Sequence, residues 1–367
     1  MTTGASTKTE DGAREWAIGE AGDHVERLRY WATDRLLSLP GLNDTARTVT
    51  LGAGYHNTIV LDDPTGRVSR SHAEIVRHHN AWLLRDSKSK NGIRIDGAHC
   101  KEFLLEPGAE VGIGSLTLIA ESRRSIGLRS FLSRLLGWRS ERLEVVDRAL
   151  RAVRMAAQRR SVLVLCGDGD LVPMACSIHR HALGSDRPFI VCDPRRRPGK
   201  ATVRSAANFD HGMQALAAAR GGTLCVRAYR LPKDFAQVVE AVRDPQSRTQ
   251  LVMCAASPED YAHEMAAPIN VPPLATRDDE IDQIIMEYAD DAIRDLGTPR
   301  TGFLAVDRAW VRMYSAKTLP DIEKGTLRLV AIRQSRNLSN AAERLGMAPV
   351  SLSRWIGRRT LPMQVEP

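Results

Sequence analysis

Ser351, Ser353, Arg354, Arg358 and Arg359 crowd together near the end of a 367-residue chain. Hydroxyls interleaved with guanidinium groups suit guanine edges and a phosphate backbone. Their spacing decides which way they face: Leu352, Trp355 and Ile356 stand at i, i+3 and i+4, the apolar stripe of a helix, so the serines and arginines fall on the opposite surface. Pro349 suits the first position of that helix. Ahead of it, Asn340-Ala341-Ala342-Glu343-Arg344-Leu345 makes a shorter helix closed by Gly346, and Leu327, Val330, Ala331 and Gln334 start another. This is the arithmetic of a helix-turn-helix, which lays its last helix in a major groove and, as a dimer, reads half-sites about one helical turn apart. Arg354, near the helix start, suits base contact, and Arg358 and Arg359 suit phosphates.

The charge is distributed to match. The net charge is +8, yet Glu121 to Arg160 carries 11 Arg against 4 acidic residues and Thr326 to Thr360 carries 7 Arg against one Glu. Those stretches exceed the total, so the remainder is mildly acidic. A basic block is ordinarily a solvated face, but one that coincides with a DNA-reading motif points to phosphate. The six cysteines at 100, 166, 176, 192, 225 and 254 form no C-x-x-C pair, which suggests neither a zinc site nor a disulfide framework. The polar N-terminus lacks a secretory pattern and no apolar run approaches a membrane span, so a cytoplasmic protein without a membrane partner is expected.

The elements that must position these groups fall into three regimes. Residues 1–23 read as disordered. From there to 122 the period is two: Ile59/Leu61, Ala73/Ile75, Trp82/Leu84, Ile93/Ile95, Val111/Ile113 and Leu116/Leu118 alternate between turn clusters such as Asp62-Asp63-Pro64-Thr65-Gly66, as in a β-sandwich. Residues 123–140 read as a basic linker. A continuous apolar run at 162–165 and strands at 189–191, 223–226 and 250–254 then alternate with helical segments, the pattern of an α/β domain with a parallel sheet over 141–275. Beyond Pro272-Pro273 everything reads as helix: 276–325 as a lid or linker, and 326–360 as the helix-turn-helix.

The segments Leu51-Gly52-Ala53-Gly54, Asn57-Thr58-Ile59-Val60-Leu61, Val68-Ser69-Arg70-Ser71-His72-Ala73 and Ser89-Lys90-Asn91-Gly92 closely resemble a forkhead-associated (FHA) domain. The resemblance implies a β-sandwich whose loops at one end hold a phosphothreonine peptide, here from a Ser/Thr kinase or its substrate. It implies that Ser69 gives a hydroxyl to the phosphate, that Arg70 and Lys90 add charge, that Asn91 pairs with the peptide backbone, and that His72 braces the loop. One position departs from the pattern: the family's Gly-Arg pair is Gly52-Ala53. Losing one charge-assisted hydrogen bond costs about 1.5 to 3 kcal/mol, so weakened binding is expected unless Lys90, Lys88 or Arg67 compensates.

The middle of the chain resembles the AAA+ domain of sigma-54-dependent activators, chiefly over Leu143 to Asp168, Arg187 to Cys192, Ala218 to Leu224 and Pro272 to Ile281. That family's phosphate loop needs a Lys, and its next strand ends in an acidic pair for Mg²⁺. Here the loop is Cys166-Gly167-Asp168-Gly169-Asp170, the positions after Val226 are Arg227 and Ala228, and the GAFTGA motif is missing. A pseudo-ATPase with no cofactor and no enzymatic activity is expected. Leu338 to Arg359 is similar to the Fis-type helix-turn-helix that ends such activators. Together these imply a homodimeric DNA-binding transcription regulator with an FHA sensor. An ATP-driven sigma-54 activator, or a phosphopeptide-binding adaptor with nonspecific nucleic-acid binding, are the alternatives.

Overall fold

The computed structural model describes residues 23–203, 205–257, 268–357 and 359–362. The expected disorder of residues 1–23 therefore lies, up to residue 22, outside the described residues. The described chain divides into two compact units.

The first unit begins with strands β1 Val25–Tyr30, β2 Leu36–Ser38, β3 Thr48–Gly52, β4 Ile59–Val60, β5 Ala73–His78 and β6 Ala81–Asp86. It continues with β7 Ile93–Ile95, β8 Ala98–Cys100, β9 Glu102–Leu104, β10 Glu110–Ile113 and β11 Leu116–Ser122. One sheet runs β2-β1-β11-β10-β7-β8 and the other β4-β3-β5-β6-β9. Inward residues alternate along both, and Leu28, Leu51, Ile75, Trp82, Leu84, Ile93, Val111 and Leu118 form one core. Fully burying each such side chain contributes roughly 1.5 to 3 kcal/mol.

Helix α1 Arg123–Leu136 occupies most of the stretch read as a linker. Leu128, Phe131, Leu132 and Leu135 recur at helical spacing and are buried, a stripe that the arginine count obscured. Helix α2 Leu143–Arg159, assigned from sequence to the α/β domain, belongs to the first unit instead. The reason is electrostatic: Asp147 on α2 accepts two hydrogen bonds from the buried Arg29 of β1, at 2.9 and 2.6 Å, while Arg29 also pairs with Glu121 of β11 at 2.6 Å.

Several arginines of the basic stretch from 121 to 160 are consequently engaged within the fold. Arg129 pairs with Asp34 and Asp147, Arg151 with Glu110, Arg154 with Asp96 and Arg148 with Glu144. Arg134, in the second unit, pairs with Glu287 and Asp291 of that unit.

The second unit holds a parallel sheet of β12 Leu163–Cys166, β13 Phe189–Cys192, β14 Ala207–Phe209, β15 Thr223–Arg227, β16 Gln250–Ala255 and β17 Ile269–Asn270. Its order is β14-β13-β15-β16-β12-β17. Helices α3 Val172–Leu183, α4 Gly212–Ala218 and α5 Phe235–Arg243 alternate with the strands. Strands β14 and β17, too short to show a period, went unread in the sequence. The first strand of this sheet lies between β16 and β17, which sets the loop after β12 at the carboxyl edge of the strands, where parallel sheets receive ligands.

Helices α6 Ile281–Asp295, α7 Ala305–Tyr314, α8 Leu319–Arg333, α9 Leu338–Arg344 and α10 Pro349–Ile356 follow. Helix α8 starts well before the Leu327 read from sequence and ends before Gln334. Thr318 caps it, its hydroxyl accepting from the Asp321 N–H at 3.3 Å, with Pro320 in the first turn. Among the described residues no helix is long and apolar enough to cross a membrane.

Candidate functional site

The loops that enter and leave β4, together with the β6–β7 loop, converge at one end of the sandwich. Gly52 is required there by close approach: a Cβ would lie 2.3 Å from the carbonyl oxygen of Arg70. Asn57, buried beneath, donates through Nδ2 to the carbonyls of Gly54 and Arg70, both at 2.6 Å. This ties the β3–β4 turn to the Ser69-Arg70 segment.

His72 is fully buried under that segment. Its Nδ1 accepts from the Ser69 N–H at 2.9 Å, which leaves Nε2 as the protonated nitrogen, donating to the Gly92 carbonyl at 3.1 Å. The bracing role implied for His72 thus has a geometry: one imidazole links the Ser69 loop to the loop bearing Asn91. Ser69 Oγ accepts from the Lys90 N–H at 3.0 Å, and no acceptor for its own proton occurs among the described residues. Asn91 donates to the Arg67 carbonyl at 2.7 Å, leaving its Oδ1 and second N–H available. Arg70 and Lys90 are exposed.

The structure therefore brings Ser69, Arg70, Lys90 and Asn91 to one rim. Ala53 is exposed beside them, its N–H bonded to the Ser69 carbonyl at 3.0 Å.

Asp63 is a residue that sequence reasoning used only as a turn signal. Its carboxylate accepts from the Ser115 hydroxyl at 2.6 Å and from the backbone N–H groups of Arg67 and Val68 at 2.7 and 2.8 Å. These bonds hold its pKa well below the usual carboxylate range, the Ser115 hydroxyl foremost. They also fix the chain that leads into Ser69.

In the second unit, Ser351, Ser353 and Arg354 are exposed on α10, as the helical spacing predicts, whereas the helix stops at Ile356, so that Arg359, also exposed, lies beyond its end and not on its face. Arg358 lies outside the described residues. Leu352 is fully buried, whereas Trp355 and Ile356 are only partly so. Trp355 packs 5.4 Å from the Trp310 ring and beneath the Arg328 guanidinium at 4.7 Å, so its cover is aromatic and cationic as well as apolar. Asn337 caps α9 by accepting from the Asn340 N–H at 2.9 Å, and Gly346, at φ +63°, turns the chain toward α10.

At the carboxyl edge of the parallel sheet the charges are inverted relative to a nucleotide site. Arg227, at the end of β15, donates to both oxygens of Asp170 at 3.0 and 2.7 Å and to Asp193 at 3.2 Å. Arg230 also reaches the fully buried Asp193, at 3.0 Å. Burial alone would lower the Arg227 pKa, but the hydrogen bond and field of Asp170 reverse that and raise it. The negative charge of Asp170 is thus met by a cation from the same sheet. Cys192, at the end of β13, has its thiol pushed up to about 12, by burial first and then by the field of Asp234. It is no nucleophile at neutral pH.

The FHA domain family model matches residues 49–114. Among solved structures, the chain is similar to one described under "phosphothreonine-dependent FHA domain interactions", at 26% identity over 26% of this chain and 93% of that one, with a TM-score of 0.23. It is similar to Mycobacterium tuberculosis EmbR in complex with a low affinity phosphopeptide, at 26% identity over 27% of this chain and 24% of that one, TM-score 0.24. The FHA domain of the CT664 protein from Chlamydia trachomatis is 24% identical over 25% of this chain and 92% of its own, TM-score 0.22. No curated protein matches. The chain carries an FHA domain, followed by a mixed α/β region and helices.

Proposed function

We propose that this protein is a DNA-binding transcription regulator that senses a threonine-phosphorylated partner through its FHA domain and does not hydrolyse ATP. The observation that carries the sensing role is the rim itself. A serine hydroxyl with a free proton, an arginine, a lysine and an amide converge over a loop braced by His72 and Asn57. A phosphate dianion offers the acceptors those donors lack.

The DNA role is supported by the exposure of Ser351, Ser353 and Arg354 on α10, on the side away from the buried Leu352, and of Arg359 just beyond its end. The AAA+-like, sigma-54-activator type of assignment rests on the sequence resemblance and on the parallel sheet. Against an ATP-driven activator stands Arg227, whose guanidinium fills the ground between Asp170 and Asp193 where a magnesium ion and phosphates would need space. That pairing supports the pseudo-ATPase reading.

The test is calorimetric titration of the full chain with phosphothreonine peptides and their unphosphorylated counterparts. Binding that requires the phosphate, and that Ser69→Ala weakens about tenfold or more, is expected. Equal binding of both peptide forms would refute the sensing role.

A further inference from the structure

Two basic stretches stand out in the sequence, but the structure draws attention to a third and smaller one. The loop between β13 and β14 contains Arg195-Arg196-Arg197-Pro198-Gly199-Lys200, and all four cationic side chains are exposed. None of them has an ion pair or side-chain hydrogen bond among the described residues. The acid at the head of the loop, Asp193, is already engaged by Arg227 and Arg230.

The backbone of this loop is nevertheless firmly held. Asn208, buried on β14, donates through Nδ2 to the carbonyls of Asp193, Arg196 and Arg197 at 3.3, 3.1 and 3.4 Å. Asp193 accepts from the Arg195 N–H at 3.0 Å, and Gly199 and Asn208 exchange backbone hydrogen bonds at 3.0 and 2.9 Å. Three adjacent guanidinium groups repel one another, and nothing in the fold needs them. A rigid backbone that presents them unpaired is arranged for an anion from outside.

The same loop touches the reading motif. A Cβ on Gly346, in the turn between α9 and α10, would lie 2.7 Å from the Cβ of Thr202. The cationic loop and the helix that presents Ser351, Ser353 and Arg354 are therefore neighbours within one unit. We propose that Arg195, Arg196 and Arg197 bind the phosphate backbone of the duplex engaged by α10, extending the DNA interface beyond the helix-turn-helix. This rests on the DNA-binding reading above. A nucleic-acid backbone is favoured over an acidic protein because the stretch 195–200 offers four exposed cationic side chains with no aromatic or large apolar residue among them, Val203 being the single exposed large apolar side chain in the described part of the loop, whereas a protein interface builds its centre from such residues.

The experiment is fluorescence anisotropy of the full chain with a labelled duplex of mixed sequence and with a duplex selected from genomic fragments, across a salt series. Three phosphate contacts at about 0.9 released counterions each predict that R195Q/R196Q/R197Q lowers the salt slope by about 2.7 and weakens both duplexes about a hundredfold near 0.15 M salt. R195K/R196K/R197K, which keeps the charge, should restore most of the slope. Arg354→Ala should instead weaken the selected duplex more than the mixed one. Unchanged slope and affinity in the glutamine variant, with Arg354→Ala still weakening the selected duplex, would overturn the loop contact while leaving the DNA reading intact. Failure of the unaltered protein to bind either duplex would end the DNA reading, and the loop contact with it.

Discussion

Replacing Asp147 by Ala should loosen α2 from the sandwich. Arg29 and Asp147 are both fully buried, and Arg29 directs five hydrogen bonds: two to Asp147, one to Glu121 and one each to the carbonyls of Tyr30 and Thr33. Asp147 also accepts from the Ala32 N–H at 2.8 Å. Removing the carboxylate deletes the two hydrogen bonds from Arg29 and the one from the Ala32 N–H, and leaves a buried guanidinium with one anionic partner fewer. Breaking a buried pair from one side costs about 3 to 5 kcal/mol. Because Glu121 remains, we expect the lower end, about 3 kcal/mol, or a midpoint lowered by roughly 6 to 12 °C for a unit of this size. The assay is thermal denaturation of the full chain together with hydrogen exchange on peptides covering β1, β11 and α2. Protection should fall there and not in the parallel sheet. The double variant R29M/D147L should cost less than Asp147→Ala alone, since it leaves no guanidinium without Asp147 while the buried Glu121 keeps Arg27 as a partner at 2.8 Å. A loss under about 1 kcal/mol, or a double variant as damaging as the single one, would refute the reasoning.

Two further outcomes follow from the phosphate-loop end. The Asp63 pKa is depressed by folding, so its contribution is complete above the ordinary carboxylate value of about 3.9 and is lost as the pH falls from there toward the folded value. NMR titration of its carboxyl carbon and exchange of the Arg67 and Val68 amides should therefore show the loop intact at pH 5 and loosening only in stronger acid; an ordinary titration midpoint would show that these donors do not favour the ionised form. Restoring the arginine missing from the family pattern, Ala53→Arg, should tighten phosphothreonine-peptide binding about ten- to a hundredfold by calorimetry. No gain would mean that the side chain at position 53 does not face the phosphate.

What the sequence by itself determined is local. The period-two runs mark strands at Ala73–His78 and Ala81–Asp86, the Ser69-Arg70 and Lys90-Asn91 loop residues share one rim, and the spacing of Leu352 faces Ser351, Ser353 and Arg354 outward. Each depends on a side-chain period or on a turn that a few consecutive residues specify. Only the tertiary structure decided which charges are available. Arg29 meets Asp147 across 118 positions, Arg154 meets Asp96 across 58 and Arg227 meets Asp170 across 57. An ion pair has no sequence period, so counting arginines between 121 and 160 could not reveal that several were engaged, nor that the short loop after β13 had kept its own free. The contact of Thr202 with Gly346 belongs to the same class. Helix and strand follow from neighbours along the chain, whereas the groups left over to bind a partner follow from which distant residues the fold has already paired.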